Sequence, residues 1–591
     1  MSSSETSDRG ASPRRRWQRG RTDWIVGLFI FLATATVIVW QNSRVSVLWD
    51  LSYVLENSFR ISLGDVPYRD FPFPYPPLTF LIQAALIKLA GRAFWHHVVY
   101  CALTGGLAGV LTWRILLNCL RATAHPRLLA FLLSLPLIPL GIYCVFPHPF
   151  YDPDCTFAIL LGLLLLQRLE RKPSWWLALL TGTVLVVPLF IKQNTGLAFL
   201  VSTSLALLIL ILIEVFRRKP ARQYALTLVG LVAGLLLAGL LIKFTADLNN
   251  YWHWTIQFAA SRRAPPLAEM IGVYRDKTLL LWLALIAVGA FFLWLSRRGS
   301  PALMILPACL FSTPFLWPAI YLLREHDASE RAERLLALWP LLLIVSLVVT
   351  VVSSKRRMGF SLVLPLILIG TINGAFMSQQ LWGSTYAIWP LFMILLAMTI
   401  AALSSLSKPL SSTTIPVTAV IVASLLISGA LYVWSHERLD YANLDDGALA
   451  RSNLPQLKGL SARGEWIPNF EELVRYTDRE IPRDEPILII PGEDLFYYTT
   501  GRRPRFPVLM FDHTVNPYTP EEILKLARDR NLRWLIVKQD MQDEDEQIEQ
   551  ERDRLTEVLE QEFEQVESLK NYDIYRRKDS EEKDDDEPKG N

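Results

Sequence analysis

Asp50, Tyr53 and Asn57 are spaced by three and then four residues in WDLSYVLENSF, so a helix there carries a carboxylate, a phenol and an amide on one face. Gly64-Asp65 breaks that helix, Pro67 stiffens the exit, and Asp70 opens the aromatic–proline run FPFPYPP. Two further acids, Asp152 and Asp154, flank Pro153 at the start of an apolar run, and Lys192 stands between two more such runs. Ionisable groups at a membrane surface are costly and usually functional. Carboxylates there can take a proton, or with His148 hold a hard cation. Lys192 and the loop arginines Arg69, Arg262, Arg263 and Arg324 can hold an anion. Each has a plainer alternative. Asp70, Asp152 and Asp154 suit turns and helix caps, and Lys192 can snorkel to an interface.

The elements that must position these side chains are membrane spans. Of 591 residues 52% are hydrophobic and 19% charged, against about 25% charged in soluble domains. Apolar runs cover 24–41, 98–118, 128–146, 155–168, 174–191, 195–214, 223–244, 278–296, 301–321, 334–352, 358–376, 385–404 and 414–434, or about thirteen spans by length. A further run at 78–91 is shorter. If it does not cross, then Arg121, Arg127, Arg168, Arg171, Lys172, Arg217, Arg218, Lys219, Arg297, Arg298, Lys355, Arg356, Arg357 and Lys408 share the cytoplasmic side with the basic N-terminus. Residues 78–91 are then an amphipathic or re-entrant helix at the outer interface. This parity puts loops 42–97, 147–154, 192–194, 245–277, 322–333 and 377–384, and everything from 435, outside the cytoplasm.

The expected organisation is a disordered N-terminus (1–20), a transmembrane part (21–434) with its first outward loop at 42–97, an extracytoplasmic α/β domain (435–578) and a disordered acidic tail (579–591). From about 466, helical and strand-like stretches alternate: strands at 487–490, 506–511, 534–537 and 572–575, and helices at 469–479, after the cap signal TPEE, and at 543–564. That pattern implies a small α/β unit with a mostly parallel sheet, acting as a cover or acceptor-contact domain. It holds none of the five cysteines, so it uses no disulfide. No Gly-rich nucleotide loop stands between a strand and a helix, which leaves ATP- or NAD-driven function unsupported.

Asp50-x-x-Tyr53, then Gly64-Asp65-Val66-Pro67-Tyr68-Arg69-Asp70-Phe71 and Pro76-Pro77-Leu78, resemble the first-loop signature of GT-C glycosyltransferases, in the bacterial branch similar to protein mannosyltransferases and aminoarabinose transferases. The resemblance continues at Tyr151-Asp152-Pro153-Asp154, at Phe190-Ile191-Lys192-Gln193 and along residues 486–505. It implies a polytopic α-helical enzyme that transfers a sugar, with inversion, from a polyprenyl-phosphate donor to a glycan, lipid or protein acceptor on the outer face of a bacterial inner membrane. Asp50 and Asp70 are the implied catalytic acids, with Tyr53, Asp152 and Asp154 as active-site partners. Arg69, Lys192, Arg262, Arg263 and Arg324 are the expected phosphate contacts. Leu51 departs from the acidic residue that many relatives carry there, which leaves metal use open; no other cofactor and no nucleic-acid partner is expected. A transporter of lipid-linked saccharides would instead place ionisable groups at mid-membrane depth, and a scaffold would tolerate Asp50→Asn.

Overall fold

The computed structural model describes residues 13–263, 266–296, 305–324, 335, 338–354, 359–376, 387–406, 408–435, 441–444 and 446–578. The chain is a helical membrane protein with a small α/β unit at its C-terminal end. The first helices are α1 (Pro13–Asn42), α2 (Leu48–Ser62), α3 (Leu78–Ala90), α4 (Phe94–Cys119), α5 (Pro126–Ser134), α6 (Leu137–Leu140) and α7 (Tyr151–Arg171).

Among the described residues seven helices are long and apolar enough to cross a membrane, and Leu78–Ala90, Trp175–Phe190, Leu338–Ser353, Phe360–Ala375 and Trp389–Ser405 are shorter apolar helices. The count of thirteen is therefore not reached by length and composition. The run at 128–146 shows why. Pro136 stands between α5 and α6, and from Gly141 to Phe150 the chain is free of helix, yet every residue there is buried. Irregular backbone is tolerated at membrane depth only when it is buried in protein in this way. Helix α3, with 13 residues, spans about 20 Å at 1.5 Å per residue, short of a bilayer core of about 30 Å.

Small residues let the spans approach. A Cβ on Gly182 would overlap the Thr227 carbonyl, and one on Gly230 would overlap the Leu179 carbonyl, so helices Trp175–Val186 and Arg222–Thr245 meet backbone to backbone. The outer flank of Arg222–Thr245 leaves Leu236, Leu240 and Phe244 exposed, as a lipid-facing surface requires.

The C-terminal unit has a two-stranded ribbon, β1 (Leu449–Arg451) with β2 (Ser461–Arg463), and a four-stranded sheet ordered β3-β4-β6-β5. Here β3 is Ile487–Ile490, β4 Trp534–Lys538, β5 Phe563–Ser568 and β6 Tyr572–Arg577. Only β3 and β4 run parallel; β4–β6 and β5–β6 are antiparallel. The expected mostly parallel sheet is thus corrected to a mixed one. The long charged helix stops at Leu559, and the turn behind it starts β5, an almost wholly exposed edge strand with a register shift at Gln565/Glu567. Residues 506–511, expected as a strand, are buried but join no strand ladder, with the Phe511 N–H donating to the Pro491 carbonyl. The helix after TPEE forms as Pro520–Asp529 with a full capping box between Thr519 and Glu522.

Candidate active site at the outer-loop end of the bundle

Of the loops assigned to one side, 42–97, 147–154, 192–194 and 245–277 meet the C-terminal unit at one end of the bundle; 325–333 and 377–384 lie outside the described residues. Asn42 donates to the Pro147 carbonyl (2.6 Å), Gln193 to the Pro74 carbonyl (3.3 Å) and Arg262 to the His513 carbonyl (3.1 Å), and the Tyr68 and Tyr251 rings lie 5.1 Å apart. At the opposite end Asp23 receives Arg127 (3.0 Å) and Arg114 (3.7 Å), and Glu170 accepts the Phe360 N–H (2.7 Å).

Asp50 lies in the first turn of α2, where the unpaired N–H groups of a helix favour negative charge. Gln542, from the C-terminal unit, holds this turn in place: its Oε1 accepts the Leu48 N–H (2.8 Å) and its Nε2 donates to the Ser46 carbonyl (2.9 Å). The Tyr441 hydroxyl donates to Asp50 Oδ2 at 2.6 Å. Burial, and then the charge of Asp50, push the Tyr441 phenol well above its ordinary range; Asp543 and Tyr151 act on the same hydroxyl. Asp543 is brought there by a bridge to Ala442. Burial, and with it the nearby Glu493 and Asp50, push its carboxyl up to about 7, against the pull of the Asp545 N–H. Asp50, Tyr441, Asp543 and Tyr151 therefore form one polar neighbourhood, in which one carboxylate can take a proton and a second is poised to titrate near neutrality.

Asp152 and Lys192 form a buried ion pair, and the Lys192 ammonium lies 5.4 Å from the centre of the Tyr151 ring. This joins the pair to the Asp50 neighbourhood through Tyr151. Asp154 points elsewhere, accepting from Thr79 (2.8 Å), Tyr100 (2.6 Å) and Tyr143 (2.6 Å). It pins α3, α4 and the irregular 141–150 segment together. Tyr53 is packed among Tyr75, Phe80 and Phe73, with ring centres 5.1, 5.8 and 6.3 Å away. Asp70 folds back on its own turn, accepting the Val66 N–H (2.7 Å) and pairing with Arg69 (2.9 Å). That guanidinium holds its carboxyl below the usual range. His148 Nε2 accepts the Val47 N–H (3.3 Å), and no group of three or more His, Cys, Asp or Glu residues that could hold a metal occurs among the described residues.

The expected phosphate contacts scatter. Arg69 is engaged by Asp70, Arg262 ties helix Ala259–Arg263 to the C-terminal unit, and Arg324 ends helix Ile305–Arg324 as an exposed residue. Arg263 ends its short helix, and its side chain lies outside the described residues. Lys192 is the cation brought beside the acids.

Sequence reasoning passed over Tyr441, Gln542 and Asp543. Their setting is a buried cluster just beneath. Lys538 pairs with Glu493 (2.5 Å) and Asp494 (3.0 Å), the Tyr572 hydroxyl donates to Asp494 (3.0 Å), and Glu493 accepts the N–H groups of Gln542 (2.8 Å) and Asp543 (2.9 Å). Burial pulls the Lys538 pKa down, and the two carboxylates more than reverse it. Ser52 on α2 donates to the Gly492 (2.7 Å) and Asp494 (3.0 Å) carbonyls. A signal was there: Glu493-Asp494 just past Pro491-Gly492 at the end of the apolar β3, and a lysine closing the apolar β4.

The fold and site thus define a polytopic membrane protein with a polar site between the first-loop end of its helices and a docked α/β unit. Its chain course is similar to that of ArnT from Cupriavidus metallidurans in the apo state (13% identity, 94% of this chain and 98% of that one, TM-score 0.46) and bound to undecaprenyl phosphate (13%, 93% and 97%, 0.43). It is also similar to the Archaeoglobus fulgidus oligosaccharyltransferase tethered with an acceptor peptide (10%, 94% and 74%, 0.47). No family model and no curated protein matches the sequence.

Proposed function

We propose that this protein is a membrane glycosyltransferase that moves a sugar from a polyprenyl-phosphate donor to an acceptor at the membrane face carrying the C-terminal unit, and that this face is extracytoplasmic. The observation that carries the reading is the placement of Asp50 in the first turn of α2, bonded to Tyr441, in one polar neighbourhood with Asp543 and Tyr151 and joined through the Tyr151 ring to the cation of Lys192. The chemistry follows from that set. An acceptor hydroxyl or amine gives its proton to Asp50 as its oxygen or nitrogen bonds to the anomeric carbon. The bond from that carbon to the phosphate oxygen breaks, and the lipid phosphate leaves with the electron pair. Attack from the face opposite the leaving phosphate inverts the centre. Developing positive charge on the sugar ring is stabilised by the acids, and Lys192 offers charge-assisted hydrogen bonds to the departing phosphate. The first-loop residues, read as a GT-C signature, support the same donor class.

The test is sugar transfer from a pool of polyprenyl-phosphate sugars to membrane extract, by purified wild-type protein and Asp50→Asn. The expected result is a fall of about 10²–10⁴-fold in a folded variant, the range for loss of a general base. Undiminished transfer by the variant would remove Asp50 from the chemistry. Undiminished saccharide flipping by Asp50→Asn, with no transfer by either protein, would favour transport.

A further inference from the structure

Away from the Asp50 neighbourhood, the C-terminal unit has a polar cavity of about 50 Å³ walled by Arg483, Arg502, Arg503 and Arg505 together with Asp484 and Glu485. One water needs ~10–15 Å³ of such space, so the cavity accepts a group of several heavy atoms. Four arginines face two acids in the wall, with Asp478 close behind at 3.9 Å from Arg483. Arg502 is buried, at 6% exposure, and spends its terminal nitrogens on backbone: Nη1 on the Pro482 carbonyl (2.6 Å), Nη2 on those of Ile481 (2.6 Å) and Thr477 (3.0 Å). Its Nε–H has no partner. A buried donor left in this way costs free energy until something accepts from it. Arg505 Nη2 donates to the Asp484 carbonyl (3.3 Å), and Glu485 is engaged by the indole of Trp534. Arg503 reaches out to Asp65 of the first loop at 2.6 Å, where Asp65 also holds Arg60 at 2.9 Å. Burial lowers the Arg502 guanidinium from its ordinary value; Asp478 opposes this and Arg483 adds to it.

Convergent guanidinium groups with donors to spare are the arrangement that recognises phosphate oxygens. We propose that this cavity is a binding site for a phosphate-type oxyanion, separate from the Asp50 neighbourhood and recognised by Arg502 from within and by Arg483 and Arg505 at the rim. The phosphate could be carried by a lipid headgroup or by a soluble compound; the recognising chemistry is the same.

Calorimetric titration of inorganic phosphate into full-length protein in zwitterionic nanodiscs tests the site without reference to sugar transfer. Saturable binding is expected, weakened at least tenfold in Arg483→Gln/Arg505→Gln, both of whose residues are exposed and removable without disturbing the fold. A double variant that binds as wild type, or wild-type protein with no saturable uptake, overturns the proposal. Repeating the titration in nanodiscs containing phosphatidylglycerol separates the sources. A tenfold weaker apparent affinity for phosphate there identifies the lipid headgroup as occupant, and an unchanged one identifies a soluble phosphate; both support the site.

Discussion

Asp50 and Asp543 show how two carboxyl groups of the same type take different roles from their surroundings. Asp50 accepts a phenol hydroxyl in a helix first turn, where the unpaired N–H groups favour negative charge. Asp543 is buried beside other acids and titrates at about 7. Its folded pKa lies above the unfolded value of about 3.9, so the native state binds the proton more tightly and stability falls as pH rises between about 4 and 7. Asp543→Asn keeps an oxygen for the Asp545 N–H and removes the titration. The expected outcome is a smaller loss of melting temperature between pH 5 and pH 8 than wild type shows. If transfer is observed, its pH profile should flatten near 7 in the same variant. An unaltered slope in both would place the titration elsewhere.

At the scale of elements, the close crossing of Trp175–Val186 with Arg222–Thr245 depends on two residues lacking side chains. Gly182→Val drives a branched side chain into the Thr227 carbonyl and the Leu231 N–H. Overpacking of this kind costs about 1–3 kcal/mol, to be read as a lower melting temperature in detergent. Gly239→Val, on the partner helix Arg222–Thr245, has nothing within 4 Å of a new Cβ, and should leave stability nearly unchanged. Equal effects of the two would show that the helices do not meet through glycine.

At the scale of the whole molecule, one buried charge cluster inside the α/β unit orders the part of it that meets the start of α2, beside further links such as Arg60 to the Pro507 carbonyl and Glu56 to the Tyr498 N–H. Lys538 stands between Glu493 and Asp494, and the loop that these acids order carries Gln542 to α2. Lys538→Met strands two buried carboxylates, a change worth about 3–5 kcal/mol. Faster proteolytic release of the C-terminal unit is the expected result. Adding Glu493→Gln and Asp494→Asn should restore much of the resistance, because a neutral buried set carries no unpaired charge. Orientation belongs to this scale too. Lys525 and Lys172 are exposed at opposite ends of the protein, in the α/β unit and at the end of α7. In a cysteine-free background on intact cells, an impermeant maleimide should label Lys525→Cys and spare Lys172→Cys; the reverse pattern would invert the topology.

The sequence by itself determined the membrane class and the meeting of the described loops 42–97, 147–154, 192–194 and 245–277 at one end, because hydropathy, charge asymmetry and turn chemistry act locally and leave a mark in every stretch they govern. The α/β character of the C-terminal unit was legible for the same reason, down to the Thr519–Glu522 cap. The strand directions were not: β4 is set by partners on both sides, β3 parallel and β6 antiparallel, and a buried apolar strand reads the same in either sense. Nor did the run at 128–146 disclose its break, since residues packed in protein and residues facing lipid are equally apolar. Within the site, tertiary structure sorted look-alikes. Asp70 closes a local turn and Asp154 ties three hydroxyls, whereas Asp50 is met by Tyr441 and Asp543 from some four hundred residues and more along the chain. Such a meeting depends on how the α/β unit docks against α2, through contacts of high sequence separation that no local pattern encodes.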